Sequence, residues 1–136
     1  MLEIRLYRAG LVVSLFLYVS YYFAPYSYGF LSPDVAGVLS YSGYGAIWPG
    51  NDVWFNALLV AWCVTTLGMF FFSKVARAIF AFLLIVSMAM TPLYGVSVEL
   101  AGVAMLFDLS NVLVGYVLAM AFFSPQIKRR FDSGRL

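Results

Sequence analysis

The side chain with the greatest potential for chemistry in this chain is an aspartate inside a long apolar segment. Asp108 lies nine residues beyond Glu99, in a run that contains no basic residue. On a helix that rises 1.5 Å per residue, this separation is about 13 Å, which would place the carboxyl group below a bilayer surface. A charged group at that depth costs at least about 2–3 kcal/mol on insertion scales, so Asp108 is a candidate functional residue.

Small and polar residues accompany Asp108 at helical spacing. The series with steps of three or four residues is Ala101, Ala104, Asp108, Asn111, Gly115 and Ala119. Residues at these steps share one helix face, and a small, polar face favours contact with another helix over contact with lipid. We therefore predict an intramembrane polar binding face formed by Asp108, Asn111, Gly115, Tyr18 and Thr65.

Three states of the Asp108 carboxyl group fit this setting. It could be protonated and donate a hydrogen bond, or it could be ionised in a polar pocket built with Asn111, Ser110, Tyr18 or Thr65. It could also bind a cation or a basic group from outside the chain. The corresponding roles are a clasp with Asn111 that only fixes helix packing, a transport or proton-relay function, and the binding of a partner's helix.

The composition argues against an enzyme. The chain has no histidine and a single cysteine, Cys63. A Ser–His or Cys–His nucleophile pair therefore cannot form, and the usual haem and metal ligand is missing. No phosphate-binding loop, CxxC pair or zinc-protease motif occurs either. We predict no catalytic residue, no cofactor and no metal site.

The same composition predicts an integral membrane protein. Of the 136 residues, 64% are hydrophobic and 10% are charged, whereas soluble domains are about half apolar and a quarter charged. A span needs about 20 mostly apolar residues, so a single membrane domain of four spans uses most of the chain. The spans are predicted near residues 9–28, 53–72, 78–93 and 98–123. The fold class is therefore all-α, a polytopic membrane protein with four transmembrane helices in an antiparallel bundle.

The positions of the basic residues predict the orientation of this bundle. They form three clusters, which are Arg5 with Arg8, Lys74 with Arg77, and Lys128, Arg129, Arg130 with Arg135. Lys and Arg are retained on the cytoplasmic side during insertion, so both termini and the tail 124–136 are predicted in the cytoplasm. Basic residues at helix ends anchor spans to anionic headgroups, and the net charge of +2 gives no indication of nucleic-acid binding. The size and short loops suit a bacterial inner membrane.

The first outer loop, residues 30–52, is the longest polar connection. Ser32-Pro33-Asp34 is a typical helix start, and Val35 and Val38 follow on one face. We predict a short helix at the outer membrane interface. The aromatic residues predicted to contact a protein partner outside the bilayer are Tyr41, Tyr44 and Trp48. Residues 48–51 read as a turn that leads into the second span.

Three further local features follow from residue types. A tight inner turn at residues 73–76 would join spans two and three as an antiparallel hairpin. Ser97 is a suitable cap for the fourth span. Phe131, in the basic tail, is expected to dip back to the membrane interface.

In size and span count the chain resembles small multidrug transporters, small fluoride channels and four-span bacterial immunity proteins. The resemblance is one of outline, because Glu3 precedes the first span, where a multidrug transporter would carry a glutamate within it. The favoured hypothesis is a non-enzymatic protein that binds other proteins in the membrane or at its outer face, as an immunity-like protein or accessory subunit, and that can form a homo-oligomer. The alternatives are a small oligomeric transporter or channel that uses Asp108 for a cation or proton, and a holin-like pore former.

Overall fold

The computed structural model describes residues 2–48 and 51–133, and these residues confirm the all-α class. The six α-helices are α1 (Leu2–Phe23), α2 (Pro33–Leu39), α3 (Asp52–Phe70), α4 (Lys74–Met90), α5 (Ala101–Phe123) and α6 (Pro125–Ser133). Two 3₁₀ helices, Ala24–Phe30 and Thr91–Tyr94, follow α1 and α4. Within the described ranges, three helical segments are long and apolar enough to cross a membrane: α3, α4 with its 3₁₀ extension, and α5.

Helix α1 occupies the middle of the bundle, with α5 on one side and α3 on the other, and α4 packs mainly on α3. α1 and α5 run antiparallel along their length. The Ser110 hydroxyl of α5 donates a 3.1 Å hydrogen bond to the Ser14 carbonyl of α1. Further along, the rings of Tyr21 and Phe107 lie 4.8 Å apart.

The buried core draws on five of the six helices. Its large fully buried side chains include Tyr7, Leu11, Met69, Phe80, Val117, Ile127 and Phe131. Trp62 joins three helices, since its ring lies 5.6 Å from that of Tyr18 and 4.7 Å from that of Phe80. Burial of such side chains contributes about 1.5–3 kcal/mol each relative to exposure to water.

Helices α3 and α4 form the close hairpin that the sequence predicts, although the turn is shorter. It comprises residues 71–73, because α4 already begins at Lys74. The Ser73 hydroxyl caps α4 by accepting a 3.3 Å hydrogen bond from the backbone nitrogen of Ala76. A Cβ atom on Gly68 would overlap the Cβ of Ala76, so this glycine allows the two helices to approach.

Helices α1 and α5 differ from the predicted spans. α1 starts at Leu2, so Arg5 and Arg8 are helical, and its α-helical part ends at Phe23 because Pro25 cannot donate to the helix ladder. α5 begins at Ala101, after the irregular segment 95–100. The prediction for Ser97 is wrong: its hydroxyl donates to the Glu99 carboxylate at 2.8 Å instead of capping a helix.

The tail after α5 is also more ordered than predicted. Ser124 joins α5 to helix α6, whose Ile127 and Phe131 are completely buried. The expectation that Phe131 lies at a membrane interface is therefore wrong, because its ring packs inside the bundle. Helix α2 begins at Pro33, as Ser32-Pro33-Asp34 predicts, but the Ser32 side chain makes no capping hydrogen bond.

Candidate functional site

Charge is separated between the two ends of the bundle. The three basic clusters meet at one end, since the guanidinium groups of Arg8, Arg77 and Arg130 all lie over aromatic rings of a shared cluster. This basic end contains the start of α1, the α3–α4 turn and α6. At the opposite, acidic end lie Asp34, Asp52 and Glu99. Arg135 lies outside the described residues.

The two connections at the acidic end are hydrogen-bonded to each other. The backbone nitrogen of Gly43 donates to the Val96 carbonyl at 2.7 Å, and the nitrogen of Val96 donates to the Tyr44 carbonyl at 3.0 Å. The Ser42 hydroxyl donates to the Val98 carbonyl at 2.7 Å and accepts from the Val98 nitrogen at 2.9 Å. These bonds satisfy backbone groups that have no helical partner.

Gly95 is required for this pairing. Its φ of 78° lies in the left-handed region, and a Cβ atom would lie 2.5 Å from the Tyr44 carbonyl oxygen and 2.7 Å from the Ala46 nitrogen. A side chain at this position would therefore be strained by the backbone and would collide with the first connection.

The three predicted outer aromatic residues differ in their surroundings. Tyr41 is 63% exposed and Tyr44 is 74% exposed. The Trp48 ring packs 5.0 Å from Trp54 and 6.4 Å from Tyr94. Thus Tyr41 and Tyr44 form an exposed aromatic pair, while Trp48 also stabilises the loop. Of the predicted turn 48–51, residues 49 and 50 lie outside the described residues.

Acidic side chains border a shallow cleft between α2 and the segment before α5. The Glu99 carboxylate accepts hydrogen bonds from the Tyr21 hydroxyl at 2.9 Å and from the Ser97 hydroxyl at 2.8 Å. The cleft has a volume of about 290 Å³ and is lined by Asp34, Val35, Val38, Leu39, Val98, Glu99 and Leu100.

The polar face predicted on α5 points outward. Asp108, Asn111 and Gly115 are exposed, whereas the face of α5 that packs against α1 buries Ser110, Val114, Val117 and Ala121. The Asp108 carboxyl group makes no hydrogen bond or ion pair with any residue in the described ranges. No atom lies within 4 Å of a Cβ built on Gly115, so this stretch of α5 is open to close approach.

Tyr18 and Thr65 occupy a different place. Tyr18 is half-buried against Trp62, and the buried Thr65 hydroxyl donates to the Ala61 carbonyl of its own helix at 2.6 Å. The structure therefore brings together Asp108, Asn111 and Gly115 and leaves Tyr18 and Thr65 apart from them, inside the bundle.

The aromatic and cationic cluster at the basic end was not predicted. Arg77 is its best-connected cation: one terminal nitrogen donates to the Ala121 carbonyl at 3.2 Å, and the other lies 3.7 Å from the Asp132 carboxylate. Its guanidinium carbon is 4.9 Å from the centre of the Phe131 ring. The sequence does contain a signal for this cluster, since Ile127 and Phe131 are four residues apart within a basic segment.

No group of three or more potential metal ligands occurs within residues 2–48 and 51–133. No family model matches the chain, and comparisons with curated proteins and with solved structures found no significant similarity. The fold itself defines the class: an all-α protein with the features of an integral membrane protein, including three helices able to span a bilayer.

Proposed function

We propose that this chain is a four-span protein of a bacterial inner membrane with both termini in the cytoplasm. The additional span is α1, which lies antiparallel along α5 and therefore extends between the same two ends. Its outward side chains include the apolar residues Val12, Val13 and Phe16, while Arg5 and Arg8 lie near its start. The basic end faces the cytoplasm, because Lys and Arg resist translocation.

In this placement the protein acts by binding another protein within the membrane, and Asp108 is the observation that carries the proposal. The carboxyl group lies on the outward side of α5 between the exposed apolar residues Met105 and Val112, without a polar partner among the described residues. A carboxylate exposed to hydrocarbon costs at least about 2.5 kcal/mol. A partner helix that donates a hydrogen bond to Asp108 removes this cost.

The neighbouring residues favour a helix as that partner. Asn111 adds a donor and an acceptor one turn from Asp108, and Gly115 continues the same outward face. Small residues allow two helix backbones to approach closely, and each polar contact between helices contributes about 0.6–2 kcal/mol. A second copy of the chain is one partner that this face could accommodate.

The exposed aromatic pair provides a second contact surface outside the bilayer. Tyr41 and Tyr44 project from a loop that is fixed by hydrogen bonds to Val96 and Val98. Tyrosine is enriched in protein interfaces because it buries a large surface and loses little conformational entropy. The two surfaces together suit an accessory subunit or an immunity-like protein that neutralises a membrane-active partner.

Site-specific photocross-linking in native membranes tests the α5 contact. A photoreactive residue at Val112 is expected to give a defined adduct, with a second copy or another membrane protein. Asp108→Leu, which removes the polar atoms, should weaken this association about three- to thirtyfold, as expected for the loss of about 0.6–2 kcal/mol. Asp34→Leu, a matched change outside α5, should leave the adduct yield unchanged. An adduct yield that Asp108→Leu does not alter would contradict the proposal.

The outward position of Asp108 also bears on the transporter alternative. A single bundle of this size does not enclose a transport pathway. If copies of the chain meet at this face, the Asp108 carboxyl group would line a pathway between the subunits. Purified protein in liposomes distinguishes the two functions. Proton or cation flux that Asp108→Asn abolishes would favour an oligomeric transporter, whereas the binding function predicts no flux in either form.

A further inference from the structure

A second cationic residue at the basic end, Arg8, is held differently from Arg77. Its guanidinium carbon lies 4.6 Å from the centre of the Phe70 ring and 5.3 Å from the centre of the Phe72 ring. Arg130, from α6, lies over the same Phe72 ring at 5.7 Å. We call these four residues, Arg8, Arg130, Phe70 and Phe72, the basic-end arginine site.

Arg8 lacks the anionic partner that Arg77 possesses. Its Nε atom is buried and has no hydrogen-bond partner, and no guanidinium nitrogen of Arg8 bonds to another residue in the described part of the chain. Glu3, an acidic residue nearby in sequence, is engaged elsewhere: its carboxylate accepts a 2.8 Å hydrogen bond from the Ser124 hydroxyl. A buried donor without a partner is unfavourable, and an anionic ligand beside Arg8 would stabilise its guanidinium charge.

The aromatic residues fix the position of the Arg8 guanidinium group. Stacking on aromatic faces is favourable for arginine and leaves the edge of its planar fork free to donate hydrogen bonds. Phe72 is itself fixed, because its ring is buried and packs 5.4 Å from Phe131 and 5.6 Å from Tyr7. The site is therefore held in place before any ligand binds.

The surrounding charge selects an anion. Near this end the described chain carries seven basic residues, namely Arg5, Arg8, Lys74, Arg77, Lys128, Arg129 and Arg130. Only Glu3 and Asp132 oppose them, and Asp132 lies beside Arg77. Phosphate oxygens match the guanidinium fork in geometry and charge. In a membrane protein, phosphate is most concentrated where the lipid headgroups lie, which is where basic helix ends are anchored.

We infer that the basic-end arginine site binds the headgroup phosphate of an anionic phospholipid in the surrounding leaflet, with Arg8 and Arg130 as its donors. The inference rests on the membrane placement proposed above, but it does not depend on protein binding by α5. The lipid phosphate supplies acceptors for the terminal guanidinium nitrogens of Arg8, which are not buried, and the net negative charge of the lipid offsets the basic excess. Lipid bound in this way holds α6 against α1 and α3.

Binding of defined lipids to the purified full chain tests the inference. Native mass spectrometry in a neutral detergent would compare phosphatidylglycerol with phosphatidylcholine. Phosphatidylglycerol is expected to bind at least about tenfold more tightly than phosphatidylcholine. Arg8→Gln should weaken the affinity for phosphatidylglycerol about tenfold, because it removes charge-assisted hydrogen bonds. Arg8→Lys retains the charge but loses the planar fork, so it should bind phosphatidylglycerol more weakly than the unmodified chain.

Arg5→Gln is the matched control, because Arg5 lies on the same helix and is exposed. If Arg5→Gln and Arg8→Gln reduce the affinity equally, the attraction is diffuse and the site does not exist. Equal binding of the two lipids would also overturn the inference. Inorganic phosphate is the remaining probe: if it displaces phosphatidylglycerol at millimolar concentration, the ligand is a free anion and not a lipid. Because no partner protein is present, these outcomes are independent of the cross-linking at Val112.

Discussion

Phe72 combines a strained backbone with a buried side chain. Its φ of 57° lies in the left-handed region, at the position after a helix where glycine is usual. The turn closes with hydrogen bonds from Ser73 to the Gly68 carbonyl at 2.9 Å and from Phe72 to the Met69 carbonyl at 3.0 Å. The conformation costs about 1–2 kcal/mol, whereas burial of the ring contributes about 1.5–3 kcal/mol. Packing therefore outweighs the strain.

Replacement of Phe72 by alanine should destabilise the protein strongly. Phe72→Ala keeps the left-handed strain and removes a buried ring, so we expect a loss of about 3–5 kcal/mol in the free energy of unfolding. The neighbouring Phe71 is 56% exposed, so Phe71→Ala should cost much less. Thermal unfolding in one detergent compares the two variants. Equal shifts in Tm would show that the Phe72 ring does not stabilise the basic end.

Among the structural elements, the two connections at the acidic end are joined by hydrogen bonds between irregular backbone segments. Residues 95–100 form neither a helix nor a strand, and Val96 and Val98 exchange hydrogen bonds with residues 42–44 of the first connection. This pairing positions Tyr41 and Tyr44, the proposed outer contact residues. It depends on Gly95, where both the φ value and the closeness of Tyr44 exclude a side chain.

Gly95→Ala should open this pairing while leaving the helices intact. We expect a local cost of at least about 1–2 kcal/mol from the left-handed backbone alone, with the contact to Tyr44 adding to it. Amide hydrogen exchange should therefore become faster at Gly43 and Val96. Gly37→Ala is the control, since no atom lies within 4 Å of its Cβ position and alanine favours the helix. Unchanged exchange in Gly95→Ala would mean that the connections are not coupled through Gly95.

At the scale of the whole molecule, the bundle is electrically asymmetric. Every Lys and Arg in the described ranges lies near the end formed by the start of α1, the α3–α4 turn and α6, and no basic residue occurs between residues 9 and 73 or 78 and 127. The opposite end carries Asp34, Asp52 and Glu99. An arrangement of this kind fixes the direction of membrane insertion.

Cysteine labelling with a membrane-impermeant maleimide tests the proposed orientation. In a Cys63→Ala background, Tyr41→Cys should be labelled in intact cells, because Tyr41 is exposed at the acidic end. Lys128→Cys should be labelled only after the membrane is permeabilised. The Cys63→Ala chain alone gives the background signal. If Lys128→Cys is labelled in intact cells and Tyr41→Cys is not, the protein has the opposite orientation to the one proposed.

The helical class, the approximate positions of the long helices and the basic clusters could all be predicted from the amino-acid sequence. Each of these depends on residue type alone, through the transfer of apolar side chains from water and the cost of moving charge into a membrane. The sequence also identifies Asp108 as a candidate functional residue, because a charged side chain is unfavourable inside a membrane. Its neighbours Asn111 and Gly115 could be placed on the same face, because helical spacing fixes that relation.

The direction in which that face points depends on how the helices pack. The spacing defines the polar face of α5 but does not show which neighbour it meets. In the structure α5 packs on α1 through the face that contains Ser110 and Val117, so Asp108 lies outward. The burial of Phe131 inside the bundle also depends on fit, as does the course of the irregular segment before α5. These features arise from the shapes of surfaces that are distant in sequence, which residue type and spacing do not encode.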